Sequence, residues 1–196
     1  MSDTKENILL TALRLFARNG YEAVSVSDIA GALGMTKGAL YKHYANKRDI
    51  FDSIVARMEQ TDAQRAKQYK LPEGKLAEME EAYGKASLSQ VLEFGRSQFH
   101  YWTEDEFPAA FRKMLTLEQY RSAEMQQIYQ QYLAAGPTGY ITDLFRSLKV
   151  KNAQKKAAEL YGAMFLHYSM YDGAEDKAAV VTMLEQYMDS FSVEFE

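Results

Sequence analysis

The sequence predicts an all-α fold of about nine helices, and three observations carry that reading. Apolar residues recur at three- and four-residue spacing through most of the chain. Only three prolines and eleven glycines stand among 196 residues rich in helix-favouring Ala, Leu, Met, Glu, Gln and Lys. Capping and stop residues fall where the periodic runs begin and end. With 47% hydrophobic and 26% charged residues, the composition is that of a globular rather than a disordered protein. No apolar run approaches the roughly 20 residues that cross a bilayer, so no membrane partner is expected. The polar start MSDTKENILL argues against a secretory leader, and the absence of cysteine removes disulfides and thiolate metal sites. A cytoplasmic setting is expected.

The elements follow in order. Ile8, Leu9, Ala12, Leu13, Phe16 and Ala17 form one helical stripe that stops at Asn19-Gly20. A second helix opens at Ser25, with Asp28 three residues on to complete a capping box, and ends at Gly34. A third, very short helix follows the cap Thr36 and carries Leu40 inward. Asn46 starts a fourth, with Asp49 three residues later and Phe51, Ile54, Val55 and Met58 on its apolar side. Residues 61–87 read as a helix tail, a loop and one turn of helix. The pattern resumes at Ser87 with Val91, Leu92, Gly95, Phe99 and Trp102, and Pro108 opens the next helix. Segment 118–148 is helical with a break at Gly136-Pro137, and two last helices, about 153–171 and 176–192, flank Asp172-Gly173. The expected division is a helix-turn-helix head over residues 1–47 and a larger helical body over 48–196, with the fourth helix as connector.

The spacing Ser25–Leu33, Gly34-Met35, Thr36–Tyr44 is that of two short helices joined by a tight turn. Ala30 and Gly31 supply small residues for the crossing, and Gly34 a left-handed turn. Ile29, Leu33, Met35 and Leu40 face inward, which leaves Lys37, Gly38, Tyr41, Lys42 and His43 outward. Such a set suits a DNA major groove: cations for phosphates or guanine edges, a phenol donor, and a glycine permitting close approach. Lys37 and Lys47 both follow a cap, in a first turn where the helix dipole disfavours a cation. That placement becomes favourable when a phosphate arrives at the same amides; plain solvated surface is the competing reading. Residues 1–50 carry seven Lys and Arg against five acids, a charge of +2 that leaves −6 for the rest. A basic head on an acidic body fits one end meeting a polyanion.

These residues carry a family resemblance. The stretch Ile8–Ile54, and above all Gly34-Met35-Thr36-Lys37-Gly38-Ala39-Leu40-Tyr41-Lys42-His43-Tyr44 followed by Asn46-Lys47, resembles the TetR family of transcriptional regulators. The resemblance implies a homodimer that binds double-stranded operator DNA at a palindrome and is released by a small effector, as a repressor. By position it implies phosphate contacts at Ser25 and Ser27, and phosphate or base contacts at Thr36, Lys37 and Gly38. It further implies phosphate clamps at Tyr41 and Lys47, with Lys42 and His43 along the groove. Leu40 and Tyr44 match core positions of the motif.

In the body, Ala157, Leu160, Tyr161, Met164, Phe165, Tyr168 and Tyr171 cover roughly 140° of one helix, more than one packing surface normally uses. The resemblance suggests a four-helix dimer interface built with the last helix, and candidate contacts are Tyr161, Met164, Phe165, Leu184, Tyr187 and Met188. A core helix sandwiched inside a monomer is the alternative. Phe99, Trp102, Met114, Met125, Tyr129 and Tyr168 are the candidates for lining a largely apolar effector pocket, although aromatic and sulfur stripes are often plain core. His100 and His167 are possible polar contacts there. No catalytic residue, metal site or cofactor is expected: the chain has no Gly-rich phosphate loop, H-E-x-x-H, paired Glu-x-x-His or cysteine nucleophile. An all-helical enzyme, or an interaction adaptor with a vestigial helix-turn-helix, are the competing functions. Steep salt dependence of DNA binding separates them.

Overall fold

A computed structural model of the chain describes residues 3–72, 80–84 and 86–193. Among these residues it contains eleven helices and no strand. They are α1 (Asp3–Asn19), α2 (Val26–Ala32), α3 (Lys37–Leu40), α4 (Lys47–Gln68), α5 (Glu80–Tyr83), α6 (Leu88–Glu104), α7 (Glu106–Glu118), α8 (Ala123–Leu133), α9 (Ala135–Ser147), α10 (Ala153–Gly173) and α11 (Lys177–Val193). Setting aside the single turns α3 and α5, nine remain, the all-α architecture expected. No helix among the described residues is long and apolar enough to cross a membrane.

The chain forms two compact units, Met1–Asp62 with Glu106–Tyr129, and Ala63–Asp105 with Gln130–Glu196. In the first, α1 packs against α2 and α7. Its core holds Ile8, Leu13, Phe16, Ile29, Leu40 and Phe51, all essentially inaccessible. Local chemistry fixes the ends of these helices. Ser25 and Asp28 form the reciprocal capping box, Thr36 Oγ1 accepts the Ala39 amide at 3.2 Å, and Asn46 Oδ1 accepts the Asp49 amide at 2.9 Å. Gly34, at φ +64°, makes the left-handed turn between α2 and α3. Gly31 is different from expectation. It is exposed, and an added Cβ would meet nothing within 4 Å, so Ala30 alone supplies the small buried residue of the pair.

In the second unit α10 is central, packing on α6, α9 and α11. Leu160, Met164, Leu184, Met188, Phe145 and Phe191 are buried within it. Ser87 caps α6 through a second box with Gln90, and Asp176 caps α11. Two boundaries differ from the sequence reading. The break in 118–148 falls at Ala134, ahead of Gly136-Pro137, because proline is tolerated in a first turn where its missing N–H would have no helical partner. Glycine is required at 136 for space: a Cβ there would lie 1.9 Å from the Gln131 carbonyl oxygen. Asp172-Gly173 does not separate the last helices either, since α10 runs through it and the turn is residues 174–176. Of the segment read within 61–87, residues 73–79 and 85 lie outside the described residues.

Candidate nucleic-acid interface

Every side chain singled out around the helix-turn-helix belongs to the first unit. Leu40 and Tyr44 are buried and anchor the motif from inside, Tyr44 by donating its hydroxyl to the Lys5 carbonyl at 3.2 Å. Burial first, and Glu6 second, push the Tyr44 phenol up to about 12, so it remains a neutral donor at ordinary pH. Outward of this anchor, Thr36, Lys37, Gly38, Tyr41 and Lys42 are exposed, and His43 is half-buried. Tyr41 keeps 49% of its surface exposed, which leaves its phenol open to an external partner. At Gly38 an added Cβ would meet only Thr36 Oγ1, at an ordinary 3.9 Å. The fold therefore has no steric need for glycine in this turn, where alanine would favour helix by about 1 kcal/mol.

The α2 N-terminus is less open than its composition implies. Ser25 Oγ donates to Asp28 Oδ2 at 2.6 Å, and the Ser25 amide donates to the same oxygen at 2.7 Å. These bonds hold the Asp28 carboxyl below its usual value, the hydroxyl first, the backbone next, and Lys37 a smaller contributor. Ser25 is thus occupied with its own cap, while Ser27 is exposed one turn-step away.

Lys47 has a built surrounding. Its ammonium donates to the Tyr21 carbonyl at 2.8 Å and the Glu22 carbonyl at 3.4 Å, and lies 4.2 Å from the Tyr21 ring centroid. An ammonium carries three donors, so one remains for an external acceptor, from a position set in advance. Next to it, Arg48 pairs with Asp52 and, through both terminal nitrogens, with Glu124 of α8. Arg14 pairs in the same forked way with Glu106 at the start of α7. Arg57 joins Glu6 and lies 4.4 Å from the Phe107 ring centroid. Apart from Arg48–Asp52, which are four positions apart, these pairs and the buried Glu118 were not legible in the sequence, since the partners lie 51 to 97 positions apart.

The body candidates divide between the units. Phe99, Trp102 and Tyr168 are buried in the second, where Phe99 stacks on Tyr168 at 5.5 Å and meets Tyr171 edge-on at 5.9 Å. Met114, Met125 and Tyr129 are buried in the first. His167 Nδ1 bonds the Ala163 carbonyl, and His100 Nδ1 bonds Glu104 of its own helix while its Nε2 lies 4.0 Å from Glu185 of α11. Among the described residues no group of three or more His, Asp and Glu side chains could hold a metal. Of the dimer candidates, Met164, Leu184 and Met188 are covered within the single chain, Tyr161 is nearly so, and Tyr187 donates its hydroxyl to the Glu159 carbonyl. Only Phe165, at 38%, presents substantial apolar surface. Leu166 at 58% and Met183 at 48% present more, and the sequence reading passed over both.

Comparison with known proteins places the motif. Residues 8–54 match the family model described as bacterial regulatory proteins, tetR family. The HTH-type transcriptional regulator AcrR of Shigella flexneri is 44% identical over 52 residues, 26% of this chain and 24% of that protein. The HTH-type transcriptional repressor BepR of Brucella suis is 41% identical over 56 residues, 29% of this chain and 27% of that one. The matched stretch thus spans about a quarter of these relatives' length. Beyond it the likeness is one of fold: the crystal structure of a γ-butyrolactone receptor superposes with a TM-score of 0.59 at 21% identity, over 94% of this chain and 96% of that one. Residues 8–54, which hold the capped α2, the Gly34 turn and the outward α3, thus match the helix-turn-helix segment of the tetR family of bacterial regulatory proteins.

Proposed function

We propose that the chain is a DNA-binding transcriptional repressor, acting in the cytoplasm as a homodimer on a palindromic operator and released by a small, largely apolar effector. One observation carries the reading: an outward set of Lys37, Gly38, Tyr41 and Lys42 backed by inaccessible Leu40, in which the fold has no steric need for the glycine and the tyrosine stays half exposed. Duplex DNA explains both, since it needs close backbone approach, a phenol donor and cations in one place. Lys47, Ser27, Thr36 and His43 complete the proposed contact surface, with Ser25 at the cap of α2, the helix that carries Ser27. The repressor reading is supported by relatives so named, among them BepR.

The dimer is proposed through the outer faces of α10 and α11, where Phe165, Leu166 and Met183 lie exposed over buried Met164, Leu184 and Met188. The effector is proposed to act on the buried aromatic cluster of Phe99, Trp102 and Tyr168, with Met114, Met125 and Tyr129 the candidates of the other unit. The fold's similarity to a γ-butyrolactone receptor supports a small organic ligand. Residues 1–47 would act as head and 48–196 as body, with α4 carrying motion from one to the other. A ligand must bind the two states unequally, and a coupling of about 1–3 kcal/mol changes operator affinity roughly 5–150-fold. The test is duplex binding measured against salt: a regulator loses affinity steeply as salt rises, whereas an enzyme or a protein adaptor binds no duplex.

A further inference from the structure

Glu118, the last residue of α7, is 1% exposed, and the sequence offers no local reason for a carboxylate there. Its Oε1 accepts the Tyr21 amide at 2.9 Å, and its Oε2 is buried without a hydrogen-bond partner. The approach is tight. Gly20, at φ +85°, directs the Tyr21 amide toward α7, and a Cβ at Gly20 would lie 2.7 Å from Glu118 Oε1. A glutamine would accept the same bond, so what this position supplies to Tyr21 is a side-chain acceptor oxygen at a set place.

Tyr21 is held on every side. Its ring sits 5.1 Å from Phe16 and 5.2 Å from Phe51, its amide is bonded to α7, and its carbonyl accepts Lys47. Lys47 thus owes its position to a residue that α7 fixes through one carboxylate. We propose that Glu118 is a positioning residue for DNA binding: by gripping the Tyr21 amide it sets the carbonyl and ring that aim the Lys47 ammonium at a phosphate. This rests on the DNA-binding reading above. A shift of the α7 end then moves the Lys47 ammonium without touching the recognition turn, and sequence preference is preserved while phosphate affinity falls.

The experiment measures binding of the full chain to a random-sequence duplex across a salt series, for wild type, Lys47→Ala, Glu118→Gln, Glu118→Ala and the similar-volume Glu118→Met, alone and combined with Lys47→Ala. Removing one phosphate contact lowers the salt slope by about one unit. The expected result is that Glu118→Ala and Glu118→Met each lower the slope as Lys47→Ala does, and add nothing in the Lys47→Ala background. Glu118→Gln, which keeps an acceptor, retains the wild-type slope. Hydrogen exchange of the Tyr21 amide, read without DNA, is slow in wild type and Glu118→Gln and at least tenfold faster in the other two. If Glu118→Ala fails to fold, Glu118→Met decides. Equal losses with and without Lys47, or an unchanged slope in a folded Glu118→Met variant, overturn the proposal and leave DNA binding standing. Wild-type protein that binds no duplex overturns both.

Discussion

A charge at Leu166 separates assembly from folding. The outer face of α10 carries Ala158, Gly162, Phe165, Leu166 and Ser169, an exposed stripe without a charged group. Full burial of a leucine side chain is worth about 1.5–3 kcal/mol. Leu166 still exposes 58% of its surface in the single chain, so an interface has about 0.9–1.7 kcal/mol left to gain from it. A two-fold axis counts the residue twice, about 2–3 kcal/mol per dimer. At 1.4 kcal/mol per tenfold, Leu166→Ala weakens dimerisation about 10–100-fold, once the β-carbon that alanine keeps is allowed for. Leu166→Asp, which buries an unpaired carboxylate from each protomer, abolishes it. Met164→Asp acts differently, because Met164 is 3% exposed before any partner arrives, and it unfolds the chain itself. Sedimentation velocity over a concentration series, with circular dichroism on the same samples, reads both effects. Folded Leu166→Asp protein sedimenting as wild type does would refute the assigned face, as would folded Met164→Asp protein with lost dimer.

Other outcomes follow from single contacts. Lys37→Ala relaxes preference at individual base positions by about 1–3 kcal/mol if the ammonium reads a guanine edge, and competition with substituted duplexes checks this. Arg14 holds Glu106, and Arg48 holds Glu124, below the ordinary 4.5, in each case chiefly through the side-chain hydrogen bond. Because the folded values are lowered, these pairs contribute fully above about pH 4.5 and are lost as pH falls through the lower folded values. Melting temperature therefore declines below that pH, and less steeply in a Glu106→Gln, Glu124→Gln variant; identical pH profiles would count against the assignment. Trp102, the single tryptophan, is buried, so its fluorescence shifts with any compound that changes duplex affinity through the aromatic cluster. An unchanged signal, with Trp102→Phe and Met114→Ala leaving the response intact, places the effector elsewhere.

What could be read ahead of the structure was chemistry acting within a few residues. Ser25 with Asp28, Thr36 before Ala39, and Gly34 after Leu33 are local arrangements, and each sits where expected. The same locality misplaced the break at Gly136-Pro137, because a proline in a first turn and one that ends a helix look alike in sequence. The wide apolar arc of α10 was legible, but not which part faces the chain's own core. Met164 and Leu166 lie two positions apart, and only packing decides that the first is inside and the second out. The support of Lys47 was illegible for a related reason. Tyr21 and Glu118 meet across 97 positions, and neither belongs to a periodic stripe that would announce the other.

Selection of bound fragments from a random duplex library, followed by footprinting of the recovered site, tests the central claim most directly. The account predicts a palindrome whose half-sites are centred about 34–36 Å apart or a multiple of it, bound with an affinity that falls linearly in log salt. Recovery of no preferred sequence, together with binding insensitive to salt, would contradict it.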